Sequence, residues 1–225
     1  MPSREQRIPI VGLGAGTHAK SVLDAIDSSR KFEALAIVDD DPARDGARLL
    51  AVPVLFGAPA LARFRAEGVR HAFVGVGGTR GSGARRRVFE RLRAAGFDLP
   101  AIVHRAASVS AWATVGSGAQ LLAAVVVNAG AEIGDGVIVN SGAIVEHDCR
   151  VGEHGHVAPG ARLAGGVTVG PGAHVGIGAV VIEGVRIGAD ALVAAGAVVI
   201  RDVGDGERVA GVPARPLAAR APSAR

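Results

Sequence analysis

The stretch Ile133-Gly-Asp-Gly-Val-Ile-Val139-Asn-Ser-Gly-Ala-Ile-Val145 carries the pattern that decides the fold, because an aliphatic residue recurs at every sixth position. The pattern extends from Val103 to Val199 and is filled at every step by Val, Leu or Ile. A second register, four residues later, holds small or branched residues. A period of six fits neither an α-helix nor a plain strand alternation. It predicts a short strand followed by a corner, repeated many times.

Three such sides make a triangular coil of 18 residues, in which the aliphatic side chains stack inward at the strand spacing of about 4.8 Å. The frequent glycines between them suit corners that need a positive φ. The pattern breaks at Asp202–Gly206. We therefore predict a parallel β-helix domain over residues 103–204, which follows a domain of residues 1–102 and precedes a C-terminal tail of residues 205–225.

Residues 1–102 instead alternate between strand and helix patterns. The predicted strands are Ile8–Leu13, Leu35–Val38, Val52–Phe56, Ala72–Val76 and Ala101–Val103, and the predicted helices are Ala19–Ser29, Pro59–Glu67 and Gly83–Ala95. This alternation predicts a small α/β domain with a parallel, Rossmann-like sheet.

A glycine-rich turn, Gly12-Leu-Gly-Ala-Gly-Thr-His18, follows the first predicted strand. Backbone N–H groups at the start of the next helix would cradle a phosphate there. Thr17 replaces the third glycine of the dinucleotide motif, so a simple tight turn explains the pattern equally well. Asp39 and Asp40 end the second predicted strand, where carboxylates bind ribose hydroxyls or a base edge.

The most polar interruption of the repeat contains His147 and Asp148. Their place in the hexad predicts that both point outward near a corner. One coil later stand Gly165 and Gly166, which would leave a shelf without side chains for a substrate. Histidine is the usual general base at neutral pH, and a neighbouring carboxylate fixes its tautomer. Either Asp148 or Glu146 can serve as that carboxylate.

His156 follows His147 by nine residues, which is half a coil, so the two histidines must lie on different sides of one prism. If both serve one site, they come from two chains. The same separation argues against a metal site built from His147, Asp148, His154 and His156. Cys149 falls on the inward register and is expected to be a buried hydrophobic residue.

Composition excludes several classes of function. The 25 basic and 21 acidic residues give a net charge of +4, but the arginines are scattered apart from Arg85–Arg87 and lack interleaved aromatic residues. We interpret them as solvated helix faces and expect no nucleic acid partner. No run approaches the roughly 18 apolar residues of a membrane span. A single cysteine fits a reducing, cytoplasmic setting.

Several motifs together carry a resemblance to a known family. They are Gly14-Ala-Gly-Thr-His-Ala-Lys20, Val38-Asp-Asp40, Val74-Gly-Val-Gly77, Gly96-Phe97 and Ile102-Val-His104. With the hexads, they resemble the hexapeptide-repeat, left-handed β-helix sugar acyltransferases, similar to bacterial nucleotide-amino-sugar N-acetyltransferases and sialic acid O-acetyltransferases. The resemblance implies a left-handed helix, a homotrimer with active sites between prisms, and a nucleotide-sugar in the N-terminal domain. The chain departs from it at Gly78-Thr79, where relatives often carry Asn or Asp.

The resemblance also implies roles for individual residues. The catalytic pair is His147 and Asp148, and contacts to acetyl-CoA fall to His156, Ile177 and Ala195. Contacts to the nucleotide-sugar fall to Gly14, Gly16, Thr17, His18, Asp39, Asp40 and Gly77. The expected activity is an acetyl-CoA-dependent N-acyltransferase without a metal; the alternatives are an O-acetyltransferase on sialic acid or another sugar, and a non-catalytic binding or scaffold protein.

Overall fold

The computed structural model describes residues 7–78 and 82–217. Thr79, one of the two positions at which the sequence departs from its relatives, lies outside the described residues, as does the end of the predicted tail, residues 218–225. None of the helices in residues 7–78 and 82–217 combines the length and the apolar composition that a membrane span requires.

The N-terminal domain is a five-stranded sheet with three helices. The strands are β1 (Ile8–Leu13), β2 (Phe32–Asp39), β3 (Arg48–Leu49), β4 (Val52–Phe56) and β5 (His71–Val74), and the helices are α1 (His18–Ser29), α2 (Gly57–Ala66) and α3 (Gly83–Ala94). The strand order is β3-β4-β2-β1-β5, with all neighbours parallel except β3 and β4. The sheet is therefore mixed, with one antiparallel edge strand on a Rossmann-like parallel core.

Alternating residues of β1 place helices on both faces of this sheet, as the period of a strand requires. Ile10 packs in one core cluster with α1 residues such as Val22, whereas Val11 packs in the other with Leu61 of α2 and Leu92 of α3. Gly12, whose role the sequence leaves open, lies where a Cβ atom would be 2.4 Å from the ring of Phe73. It is a glycine because the neighbouring strand fills its space.

The repeat region forms a triangular prism of short strands in three sheets. Face 1 consists of β7 (Ser108–Val109), β10 (Val126–Val127), β13 (Ile144–Val145), β16 (Arg162–Leu163), β19 (Val180–Val181) and β22 (Val198–Val199). Face 2 consists of β8 (Thr114–Val115), β11 (Glu132–Ile133), β14 (Arg150–Val151), β17 (Thr168–Val169) and β20 (Arg186–Ile187). Face 3 consists of β6 (Ile102–Val103), β9 (Gln120–Leu121), β12 (Ile138–Val139), β15 (His156–Val157), β18 (His174–Val175), β21 (Leu192–Val193), β23 (Arg208–Ala210) and β24 (Arg215–Pro216).

The pairing of these strands confirms the 18-residue coil. Val145 lies opposite Val127 on one side and Leu163 on the other, each 18 residues away. The aliphatic side chains of the hexads form one continuous buried core along the prism. One expectation is wrong: β6, assigned by sequence to the N-terminal sheet, pairs with β9 of the prism instead.

The prism does not stop where the sequence pattern breaks. β23 continues face 3 as a parallel neighbour of β21, and β24 then adds an antiparallel edge. The domain limits at residues 102 and 204 therefore remain a prediction, while the strand ladder itself extends to Ala210.

Candidate active site

The turn between β13 and β14 presents His147 and Asp148 at the corner between faces 1 and 2. Asp148 has a φ of 59°, in the left-handed region, at a place in the repeat where most other corners have glycine. Asp is one of the few residues that tolerate this conformation. With this backbone, its carboxylate Oδ2 accepts a hydrogen bond from His147 Nδ1 at 2.9 Å. The strained corner thus holds a histidine–carboxylate pair between adjacent residues.

Glycines one coil away on each side make room for this pair. A Cβ atom on Gly165 would lie 2.6 Å from Cε1 and Nε2 of His147, and one on Gly130 would lie 2.5 Å from Oδ1 of Asp148. The shelf that the sequence predicts for a substrate is therefore covered at Gly165 by the imidazole ring of His147 itself. The side of Gly166 is open, with no described atom within 4 Å.

Glu146 does not contact the imidazole ring of His147. Its Oε2 accepts a hydrogen bond from Asn128 Nδ2 at 2.8 Å and from the backbone N–H of His147 at 3.3 Å. Of the two carboxylates that the sequence allows as partner of the ring, the structure pairs Asp148. Glu146 and Asn128 fix the backbone of the turn instead.

Electrostatics at this corner favour a cationic histidine. The His147 side chain is 64% exposed, and the hydrogen bond to Asp148 raises the pKa of His147 above its ordinary value, with the charges of Asp148 and Glu146 acting in the same direction. Since Nδ1–H donates to Asp148, Nε2 of the neutral ring carries the free lone pair. This nitrogen belongs to an exposed side chain and is available to accept a proton.

His156 lies on face 3, half a coil from His147, as the count predicts. Its Nδ1–H donates to the carbonyl oxygen of Gly78 at 2.8 Å, and its Nε2 accepts from Asn140 Nδ2 at 3.2 Å. The residue is only 6% exposed, and burial, helped by nearby His174, lowers the pKa of His156 to about 3. The His174 ring packs against it edge to face at 4.8 Å between centroids. His156 is thus neutral and fully hydrogen-bonded.

The glycine-rich turn is closed by Asp39. The Asp39 carboxylate accepts hydrogen bonds from the backbone N–H of Ala15 at 2.6 Å and of Asp41 at 2.9 Å, and Gly14 adopts a φ of 95°. Gly16 and Thr17 follow at the start of α1, and the space beside Gly16 holds no described atom within 4 Å. The turn keeps an open side against which a ligand can lie.

The other predicted nucleotide-sugar residues lie around this turn. Asp40 forms an exposed ion pair with Arg91 of α3 at 2.5 Å. The Nε2–H of His18 donates to Gln120 Oε1 at 2.8 Å, and the ring of His18 covers Gly77, where a Cβ atom would lie 3.0 Å from it. Burial lowers the pKa of His18.

Ile177 and Ala195 stack at the corner between faces 3 and 1, linked by a hydrogen bond from Gly196 N–H to the Ile177 carbonyl at 2.8 Å. Ile177 is 60% exposed. The structure therefore brings His156 next to the N-terminal domain, which carries His18 and Gly77. These three residues, and Ile177, lie away from the corner that carries His147. Within one chain, the predicted residues form separate groups.

Comparisons with known proteins agree with this architecture. Residues 9–92 match the family model of the PglD N-terminal domain. Perosamine N-acetyltransferase from Caulobacter crescentus, solved with CoA and GDP-perosamine, is 40% identical, with 94% of this chain and 97% of that chain covered and a TM-score of 0.88. The acetyltransferase domain of PglB from Neisseria gonorrhoeae, solved with acetyl coenzyme A, is 34% identical over 94% and 100% of the two chains, with a TM-score of 0.85.

This chain belongs to the hexapeptide-repeat sugar acyltransferases. WeeI from Acinetobacter baumannii AYE shares the fold, with 26% identity over 93% and 100% of the two chains and a TM-score of 0.81. A search of curated proteins finds no match. The expected fold, a Rossmann-like α/β domain followed by a left-handed parallel β-helix, is confirmed.

Sequence reasoning missed two buried residues of this acyltransferase that join its domains. Gln120, on face 3, accepts from His18 and donates through Nε2 to the carbonyl of Val74 at 2.6 Å. Arg85 of α3 is 2% exposed and donates through Nη2 to the carbonyls of His154 and Gly155. The interpretation of Arg85 as part of a solvated helix face is therefore wrong. The available signal was Gln120 itself, a polar residue between Ile102 and Ile138 on face 3.

Two further expectations concern metal and cysteine. Among residues 7–78 and 82–217, no group of three or more His, Cys, Asp and Glu side chains is close enough to hold a metal ion. Cys149 is fully buried in the prism core, where its Sγ contacts the Ala164 carbonyl at 3.1 Å and burial raises the pKa of its thiol. A buried thiol with a raised pKa is inert as a nucleophile.

Proposed function

We propose that this acyltransferase moves an acetyl group from acetyl-CoA to the amino group of a nucleotide-linked amino sugar, with His147 as general base. The relatives support this assignment, since one was solved with CoA and GDP-perosamine and another with acetyl coenzyme A. The structures of perosamine N-acetyltransferase include variants in which a single histidine is replaced by Asn or Ala.

The observation that carries the proposal is the exposed pair of His147 and Asp148. The Nδ1–H of His147 is held by Asp148, so Nε2 is the basic atom. The free amine of the sugar attacks the carbonyl carbon of the thioester, and His147 Nε2 takes the amine proton as the C–N bond forms. The C–S bond then breaks, and His147 returns the proton to the departing thiolate of CoA. Asp148 stabilises the imidazolium during this step.

The N-terminal domain supplies the site for the nucleotide part of the substrate. Gly14, Gly16 and Thr17 form a turn at the start of α1. The Gly14 N–H donates to the Val38 carbonyl at 2.8 Å, whereas the N–H groups of Gly16 and Thr17 have no partner among the described residues, which suits a diphosphate. The carboxylates of Asp39 and Asp40 lie beside that turn and suit ribose hydroxyls or a base edge. His18 and Gly77 complete the wall nearest the prism.

Acetyl-CoA is assigned to the groove beside His156, Ile177 and Ala195. The exposed Ile177 side chain gives an apolar surface for the pantetheine arm, and the neutral His156 places no charge near the thioester. Because this set and the corner of His147 are on different parts of one prism, a complete site needs a second chain. We therefore propose a homotrimer with its active sites between neighbouring prisms.

The test is release of free thiol from acetyl-CoA in the presence of GDP-perosamine, a UDP-linked amino sugar or sialic acid. We expect turnover with a nucleotide-linked amino sugar and an amide product by mass spectrometry. An ester formed on sialic acid would instead support an O-acetyltransferase, for which the same His147 would activate a hydroxyl. No turnover with any acceptor would leave a binding or scaffold protein.

A further inference from the structure

Trp112 is the only tryptophan of the chain, which has no tyrosine. It is 83% exposed, more than any other large hydrophobic residue among residues 7–78 and 82–217. Most phenylalanines of those segments are buried. One exposed hydrophobic residue is ordinary by itself, so what makes Trp112 informative is its position in the prism.

The coil register places Trp112 on the corner that carries His147 and Asp148. Residues 112, 130 and 148 are successive corner positions, 18 residues apart. The stack is hydrogen-bonded directly, because Gly130 N–H donates to the Trp112 carbonyl at 3.2 Å and Asp148 N–H donates to the Ala129 carbonyl at 3.1 Å. Trp112 is thus two coils from Asp148 along one edge, about 10 Å at the usual strand spacing.

The coil between them presents little side chain. Ala129 and Gly130 occupy its corner and are both exposed, and the Asp148 carboxylate leans over the bare Gly130. The turn of Trp112 is itself held, since its backbone N–H donates to Ser110 Oγ at 3.1 Å. The result is a notch with an indole at one end and the histidine–carboxylate pair at the other.

The chemistry along the notch is that of a ligand with an apolar ring face and a cationic amine. Ser110, Asn128 and Glu146 form a polar row beside it, and the two carboxylates of Glu146 and Asp148 outnumber the one imidazole of His147, so the corner is negative even when that ring is protonated. This charge disfavours a diphosphate but attracts an ammonium group, as does the face of an indole. An amino sugar has hydroxyls for the polar row, C–H groups for the ring and an ammonium for the acidic corner.

We propose that Trp112 is a specificity-determining residue that packs against the sugar ring of the acceptor and guides its amine to His147. The inference rests on the proposed function, since it names the part of the acceptor that this corner recognises. The N-terminal domain of the same chain packs on face 3, away from this corner, so the sugar that Trp112 contacts is delivered by a neighbouring chain.

The single tryptophan makes a direct binding test possible on the full-length wild-type protein. Its fluorescence should change in intensity or wavelength on titration with GDP-perosamine, and should not change with GDP alone or with CoA alone. The Trp112→Phe variant is the blank for this signal. An unchanged emission spectrum at saturating GDP-perosamine overturns the proposal, whether or not the protein turns the sugar over.

Kinetics separates recognition of the sugar from packing between chains. For Trp112→Ala we expect the KM for GDP-perosamine to rise about tenfold, the loss of roughly one aromatic or cation–π contact. The KM for acetyl-CoA and the mass of the oligomer should stay unchanged, and Trp112→Phe should restore most of the affinity. Dissociation of Trp112→Ala into single chains, together with a wild-type emission spectrum that does not respond to GDP-perosamine, would show a packing role and overturn the proposal.

Failure of the proposed transferase activity and failure of the proposed sugar contact give different results. A fluorescence response to GDP-perosamine without thiol release from acetyl-CoA would contradict the proposed transferase activity but support the sugar contact. Normal thiol release in Trp112→Ala, with an unchanged KM for GDP-perosamine, would keep the transferase and contradict the sugar contact.

Discussion

His147 and His156 are nine residues apart on one regular scaffold, yet their environments are opposite. His147 is exposed at the corner of faces 1 and 2, and a hydrogen bond to Asp148 raises its pKa. His156 is buried on face 3 under the N-terminal domain, and that burial lowers its pKa to about 3. The prism therefore provides one histidine suited to proton transfer and one suited to a neutral, fixed contact.

The difference teaches how a repeat fold assigns roles. Both histidines point outward from the prism, so the repeat pattern alone does not show which of them is exposed and which is buried. The neighbours decide: Asp148 and the solvent act on one ring, and the carbonyl of Gly78 and the amide of Asn140 act on the other. A change at His147 should therefore alter catalysis with little effect on stability, and a change at His156 should alter stability.

The largest expected effect is that of His147→Ala on turnover. Loss of the general base should lower kcat about 10²- to 10⁴-fold. Because the side chain is exposed, the free energy of unfolding should change by no more than about 0.5 kcal/mol. Thiol release and thermal unfolding measure the two quantities.

Glu183→Ala is the matched control for His147→Ala. Glu183 is exposed at the same corner, two coils further along the prism, so its removal should leave kcat unchanged. Wild-type turnover in His147→Ala would refute the assignment of the base.

The second effect is on stability. His156→Ala removes a buried ring and leaves the Gly78 carbonyl and the Asn140 amide without their partner, which should destabilise the fold by about 2–3 kcal/mol. His174→Ala, one coil away on the same face and only half-buried, is the control and should cost less than about 1.5 kcal/mol. Equal losses in urea unfolding would contradict the role of those two hydrogen bonds.

His156 also predicts an acid-sensitive fold. The pKa of His156 is about 3 in the folded chain, far below the value of 6.5 in the unfolded chain. Between these two pH values the unfolded chain binds a proton at His156 and the folded chain does not. Stability should therefore fall as the pH drops from about 6.5 towards 3, by about 1 kcal/mol per pH unit from this residue. In His156→Gln that slope should be smaller, which urea unfolding at pH 5 and pH 7 measures.

Asp148→Asn tests the environment of His147, as the His156 variants test that of His156. Because Asp148 raises the pKa of His147, its replacement should let that pKa fall. The acid limb of the profile of kcat against pH should then shift to lower pH, while kcat on the plateau decreases about tenfold as the imidazolium loses its partner. Glu146→Gln should shift the limb less, since Glu146 has no hydrogen bond to the ring. An unshifted limb in Asp148→Asn would mean that His147 is not the titrating group.

The sequence predicted the prism well because its determinants are local and repeated. A residue such as Val145 has the same environment as Val127 and Leu163, so the period alone gives strand, coil length and buried face. The pair of His147 and Asp148 was predictable for the same reason, since neighbouring residues share a corner. Gln120 and Arg85 were not, because Gln120 contacts Val74, 46 residues away, and Arg85 contacts His154, 69 residues away. Contacts between domains of different periodicity leave no period in the sequence.

The smallest expected effects are those of replacing either of two adjacent glycines beside the His147 ring with alanine. Gly165→Ala would put a methyl group 2.6 Å from the imidazole, so the ring must move off its place and kcat should fall about tenfold or less with stability nearly unchanged. Gly166→Ala meets open space but has a φ of 69°, so it should cost about 1 kcal/mol of stability and leave kcat alone. Reversed outcomes would mean that the position of the ring over Gly165 is not the productive one. The two substitutions together therefore test whether the exposed His147 ring, unlike the enclosed His156 ring, needs one particular position for its role.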